Sequence, residues 1–170
     1  YTTSLGYTGT QGSQEEAVAS FENTYEASTS ITFKATKSLK KQTLGSRKFD
    51  FYIKGTDGTN YSEKTVQNNG ADITFDEISY TQNDLKGVSE KTFKYEIGEK
   101  TPTDTSITGD TSKYKVSVTV SKNNNGTLNI TKVTVDGGTY EKAENTNIYT
   151  IKPPANSEKD ATFVNTYGAS

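Results

Sequence analysis

Between Ser30 and Leu39 apolar and polar residues alternate with the two-residue period of a β-strand. Ile31, Phe33, Ala35, Lys37 and Leu39 share one face, and Thr32, Lys34, Thr36 and Ser38 share the other. Four of the five residues on the first face are apolar, so this face is expected to enter a core. Lys37 goes in with them. A lysine in apolar surroundings is costly while charged, and it must be neutralised, paired or extended to water. A fourth outcome is consumption in a covalent bond.

The same alternation recurs down the chain. Lys48–Lys54 places Phe49, Phe51 and Ile53 inward, and Gly55-Thr56-Asp57-Gly58 then turns the chain. Ala71–Tyr80 is expected to form one strand with Ile73 and Phe75 in phase, followed by a polar loop at Gln82–Ser89. Lys91–Glu99 puts Phe93, Tyr95, Ile97 and Glu99 on one face, and Thr101–Ser112 reads as a long polar loop. Tyr114–Ser121 and Leu128–Val135 flank Asn123-Asn124-Asn125-Gly126, the clearest hairpin turn. Tyr149–Ile151 and Asp160–Tyr167 complete the series. Short strands with no convincing helix predict an all-β, immunoglobulin-like β-sandwich of about seven to nine strands.

The first 28 residues read differently. They are polar, and they end in Ala19-Ser20-Phe21-Glu22-Asn23-Thr24-Tyr25-Glu26-Ala27-Ser28. The chain ends in Ala161-Thr162-Phe163-Val164-Asn165-Thr166-Tyr167-Gly168-Ala169-Ser170. Seven of these ten positions are identical at an offset of 142 residues, the length of an ordinary domain. The expectation is a tandem array cut out of phase. Residues 1–28 are then the closing strand and tail of a preceding repeat domain, or a linker, and residues 29–170 are one whole domain.

Composition narrows the chemistry. Cys, His, Met and Trp are absent, which excludes thiolate catalysis, Ser–His chemistry and structural zinc. No cofactor or metal is expected, and no disulfide is available for stabilisation. The net charge of −2, with both signs interspersed, favours neither nucleic acid nor an anionic membrane. No run approaches the roughly 20 apolar residues of a spanning helix, and no signal peptide is visible, as in a mature segment or an excised piece.

Lys37 has two companions. Ala161, Phe163, Asn165 and Tyr167 share a face, so Asn165 is in core phase, and Glu99 ends the inward series Phe93, Tyr95, Ile97. Each alone has a plainer reading: a snorkelling lysine, a backbone-bonded asparagine, a solvated strand end. Together they are complementary. A neutral Lys37 amine can attack the side-chain amide carbon of Asn165, releasing ammonia and leaving a Lys–Asn amide. A Glu99 carboxyl raised in pKa by burial can carry a proton from the amine to the leaving group. Lys34, on the opposite face, is the nearby rival amine; Glu96, Glu77 and Asp76 are the rival acids.

At these residues the chain resembles the isopeptide-linked pilin domains of Gram-positive pili, of the T-antigen backbone type related to CnaB-like adhesin domains. The resemblance runs through Thr36-Lys37-Ser38-Leu39, Phe49-Asp50-Phe51, Phe93-Lys94-Tyr95-Glu96-Ile97-Gly98-Glu99 and Phe163-Val164-Asn165-Thr166-Tyr167, in order across residues 29–170. It implies that Lys37 and Asn165 are the bonded pair and Glu99 the catalytic acid. Asn23 would be the acceptor of the preceding repeat, unpaired here and retaining its amide. It also implies a CnaB-like sandwich and a parent anchored to the cell wall on the extracellular surface of a Gram-positive bacterium.

The function expected is structural: a stalk or shaft module of a pilus or fibrillar adhesin, with neighbouring repeat domains or pilin subunits as partners. It is not expected to be an enzyme beyond a single-turnover self-linking. The alternative is an adhesin domain that recognises a host surface ligand through its loops at Asp57-Gly58, Gln82–Ser89 and Thr101–Ser112. No calcium-loop spacing or exposed aromatic cluster supports it. A glycosidase with paired carboxylates is the third class, and the sequence marks no cleft for one.

Overall fold

The computed structural model describes residues 2–4, 18–20 and 27–168 of the chain. The strands are β1 (Thr2–Ser4), β2 (Val18–Ser20), β3 (Ser28–Lys40), β4 (Asp50–Thr56), β5 (Lys64–Gln67), β6 (Asp72–Thr74) and β7 (Ile78–Thr81). After a helical turn, α1 (Gln82–Leu85), come β8 (Glu90–Glu99), β9 (Ile107–Thr108), β10 (Lys113–Lys122), β11 (Leu128–Asp136), β12 (Thr139–Lys142), β13 (Ile148–Lys152) and β14 (Phe163–Tyr167). One sheet has the order β11-β10-β8-β4-β5 and is antiparallel throughout. The other has the order β12-β13-β3-β14-β9, with β6 and β7 also paired to β3. β1 and β2 form a separate antiparallel pair.

β3 organises the second sheet. Its burial alternates as the sequence predicts: Ile31, Phe33, Ala35 and Lys37 are buried and the residues between them are not. It is antiparallel to β7 at Ser28–Ile31 and to β6 at Lys34–Thr36. It is parallel to β13 at Thr32–Lys34 and to β14 at Lys37–Lys40. The first and last strands of the sandwich are therefore neighbours that run the same way.

Thr162, fully buried, locks the entry to β14. Its hydroxyl accepts from the Thr36 amide at 2.9 Å and donates to the Ile151 carbonyl at 2.6 Å. Between the sheets the Phe163 ring lies 5.2 Å from Phe51 and 5.4 Å, edge-on, from Tyr114. Aromatic contacts of this kind join the layers around the closing strand.

The two-layer all-β architecture is the one expected, with more pieces. Among the described residues the two large sheets hold twelve strands, where seven to nine were expected, because several are short. Ala71–Tyr80 is split in two by Phe75–Glu77, although both halves pair with β3. Gln82–Ser89 is not purely a loop: Leu85 is buried, and the Asp84 carboxylate accepts from the Thr81 amide at 2.7 Å. Thr101–Ser112 contains β9, and the final strand begins at Phe163 after a bend at Asp160–Thr162. β12 was not expected, since all four of its residues are exposed and carry no alternation.

Candidate functional site

Three strands bring Lys37, Glu99 and Asn165 together between the sheets. In the parallel pair β3–β14, Lys37 lies opposite Phe163 and Asn165 opposite Leu39, so the two polar residues are diagonal neighbours on one face. Glu99 comes from the facing sheet, at the end of β8 beside Phe51 of β4. The Lys37 Nζ donates to Glu99 Oε1 at 2.8 Å, and Asn165 Nδ2 lies 2.6 Å from Glu99 Oε2. The side chains of Lys37 and Glu99 are wholly excluded from solvent, and Asn165 is fully buried.

Burial sets the protonation of the pair. Loss of solvent pushes the Lys37 amine down from 10.5, against the hydrogen bond and charge of Glu99. It pushes the Glu99 carboxyl up from 4.5, against the opposing contacts of Lys37 and Asn165. Both shifts favour a neutral amine beside a neutral acid, since removing each ion from water costs several kcal/mol. The Lys37 Nζ also lies 4.5 Å from the centre of the Phe49 ring and 5.7 Å from that of Phe51. A cation gains only about 0.5–2 kcal/mol from such a ring, too little to replace its hydration.

The Asn165 amide carries a further sign. Its Oδ1 is buried without a hydrogen-bond partner. The 2.6 Å contact on the other side is short for N–H···O and ordinary for a carboxylic O–H on an oxygen. Turning the amide over places Oδ1 against a protonated Glu99, relieving the orphaned oxygen. The carbonyl is then polarised by the acid while the neutral amine stands on the same carboxyl group. The arrangement is suited to aminolysis of the amide.

The rivals lie elsewhere. Lys34 is on the opposite face, half exposed. Glu96 accepts from the Tyr52 hydroxyl at 2.7 Å, and Glu77 and Asp76 are exposed, with Glu77 accepting from Ser30 Oγ at 3.1 Å. Asn23 lies outside the described residues.

Two neighbours escape a reading by strand phase. Asp110, in the segment after β9, accepts from the Val164 amide at 2.8 Å and from Lys159 Nζ at 2.7 Å, fastening that segment beside Asn165. Gly109 passes so close that an added Cβ would lie 2.6 Å from Pro102 Cδ and 3.5 Å from Glu99 Oε2. Gly98, just before the acid, is bare because a Cβ there would meet the Tyr52 hydroxyl at 2.6 Å.

Residues 33–168 match the family described as FctA, a Spy0128-like isopeptide containing domain. The chain belongs to this family. A crystal structure of a mutant of the major pilin from Streptococcus pyogenes is similar at 14% identity, with a TM-score of 0.40. The match covers 84% of this chain and 51% of the pilin, so the chain spans about half the length of that protein. No curated protein matches.

Proposed function

We propose that the chain is a shaft module of a Gram-positive surface pilus, cross-linked by a self-generated amide between Lys37 Nζ and Asn165 Cγ. The observation that carries the reading is the buried Glu99 carboxyl, which touches both side chains within a site that favours neutral groups. The neutral Lys37 amine attacks Cγ of Asn165 while Glu99 donates to Oδ1. Glu99 then takes a proton from the attacking nitrogen and returns one to the departing NH2. The C–N bond of the amide breaks, a new C–N bond forms, ammonia leaves, and Glu99 ends as it began. Burial supplies the reactive protonation state, and fixed contact supplies the effective concentration that a free amine lacks.

The parallel pairing of β3 and β14 supports a mechanical role. Tension entering β3 and leaving through β14 would otherwise be carried by the strand pair in shear. With the bond in place it passes from Lys37 to Asn165 and bypasses everything between them. The module's partners are neighbouring pilin subunits or repeat domains, on the extracellular face of a wall-anchored parent. Residues 1–28 are the end of a preceding repeat, with Asn23 its acceptor. The chain performs one intramolecular reaction and turns over no substrate.

Single-molecule pulling from Ser28 and Tyr167 tests the role. The parent chain should show no release of the 37–165 loop at forces that unfold ordinary sandwiches, and Asn165→Ala should release it. Release of the loop in both would defeat the shaft reading.

A further inference from the structure

Asn68 is polar and almost fully buried, and both the oxygen and the nitrogen of its side-chain amide are hydrogen-bonded. Its Oδ1 accepts from the Phe49 amide at 2.7 Å. Its Nδ2 donates to the carbonyls of Arg47 and Gly70, each at 2.9 Å. The first two bonds fix the chain as it enters β4, and with it the Phe49 ring that lies 4.5 Å from the Lys37 amine. The third fixes the tight turn closed by Asn69 and Asp72, whose Ala71 carbonyl accepts from the Lys37 backbone amide at 2.8 Å. One side chain therefore ties the aromatic cover of the amine to the backbone that carries the amine.

Phe49 is also shared with the outside. It lines a surface cavity of about 250 Å³ together with Arg47, Lys100, Asp104 and Ile107. A ring free to swing toward that cavity would let water reach Lys37, and a hydrated amine holds its proton.

We propose that Asn68 is a positioning residue for the Lys37–Asn165 reaction, holding the Phe49 ring against the amine so that water is kept out. The proposal rests on the cross-linking reading given above. Burial as the leading cause of the lowered Lys37 pKa agrees with it. The charged groups that face Lys37 are Glu99 from β8, Asp110 from the segment after β9 and Lys159 from the segment before β14, and none of them is a hydrogen-bond partner of the Asn68 side chain.

The full chain is made by cell-free synthesis at a series of pH values and quenched at intervals, and the linked fraction is read from intact mass. The parent's rate at each pH is the reference. In Asn68→Ala the rate at pH 7 should fall about tenfold for each unit by which the amine's pKa rises, and recover toward the parent at high pH. In a Phe49→Leu background, Asn68→Ala should add no further pH dependence. A profile parallel to the parent's, or an undiminished effect without Phe49, would overturn the proposal while leaving the cross-link standing. A parent chain that never loses ammonia would overturn both. Should Asn68→Ala not fold, Asn68→Ser and Phe49→Leu are measured alone, and profiles parallel to the parent's in these would equally overturn it.

Discussion

Two lysine–acid pairs sit side by side at this end of the sandwich, with nearly the same length. Lys37–Glu99 measures 2.8 Å and Lys159–Asp110 measures 2.7 Å. They differ in what surrounds them. Lys37 and Glu99 are wholly buried, whereas the Lys159 side chain keeps 27% of its surface in water. Burial also works against the Asp110 carboxylate, but Lys159 and the amides of Val164 and Ser112 outweigh it and hold the group below 3.8. Glu99 receives no backbone amide among its principal contacts and moves the other way. On the cross-linking reading proposed above, the first pair is the one set to react and the second an ordinary anchor. Contact distance does not separate the two lysines; solvent and backbone donors do.

The sharpest way to break this contrast is to remove a bonded residue. Lys37→Ala or Asn165→Ala should abolish the cross-link and admit trypsin, while strand signals persist. Reopening a loop of over 100 residues should cost roughly 4–5 kcal/mol by analogy with a disulfide, or roughly 10–20 °C in Tm for a domain of this size. Calorimetry that finds either variant melting with the parent would remove the bond's stabilising role.

Replacing the acid comes next. Glu99→Gln keeps the shape and loses the titrating proton, so the chain should fold, remain unlinked by mass and melt nearly as low. Glu96→Gln, Glu77→Gln and Asp76→Asn should all stay linked. Full linking in Glu99→Gln would show that desolvation of Lys37 alone is enough.

The protonation states can be separated from packing in an unlinked chain. In Asn165→Ala the folded Lys37 amine has a pKa below 10.5, so the unfolded chain binds more protons between that lowered value and 10.5. Stability should therefore rise with pH across this window relative to the linked parent, which has no free Lys37 amine. A relative Tm that stays level or falls toward pH 10 would mean that the folded amine is charged.

The second pair should give the smallest effect. Asp110→Asn should still link, and lose roughly 1–3 kcal/mol at neutral pH with the charged hydrogen bonds. Because Asp110 titrates below its ordinary value when folded, its contribution is present above about 3.8 and is lost as pH falls through the folded pKa. The difference from the parent should close on acidification. A variant that failed to link would place Asp110 in the reaction.

How far the sequence reveals this site depends on how each residue is held. Lys37, Glu99 and Asn165 stand on regular strands, where a period of two reports which face a side chain takes, so a polar residue in core phase is visible. Asn165 is doubly marked by the echo of its strand around Asn23. Asp110 and Lys159 lie outside named strands, where no period exists, and meet only because the chain folds back along β14. Asn68 reads as part of an Asn-Asn-Gly breaker, since nothing local distinguishes a turn residue in solvent from one turned inward. The reason for Gly98 is equally hidden, because it is the Tyr52 ring on the neighbouring strand. Layering and strand phase are local properties; edge strands, splits and loop anchors depend on contacts between distant segments.

The central claim is one new amide between Lys37 and Asn165, and intact mass under denaturing conditions tests it most directly. The chain should weigh less than its sequence by a single ammonia, and digestion should yield one branched peptide joining the segments that contain Lys37 and Asn165. An unshifted mass, or a branch through Lys34 or Asn23, would contradict the account.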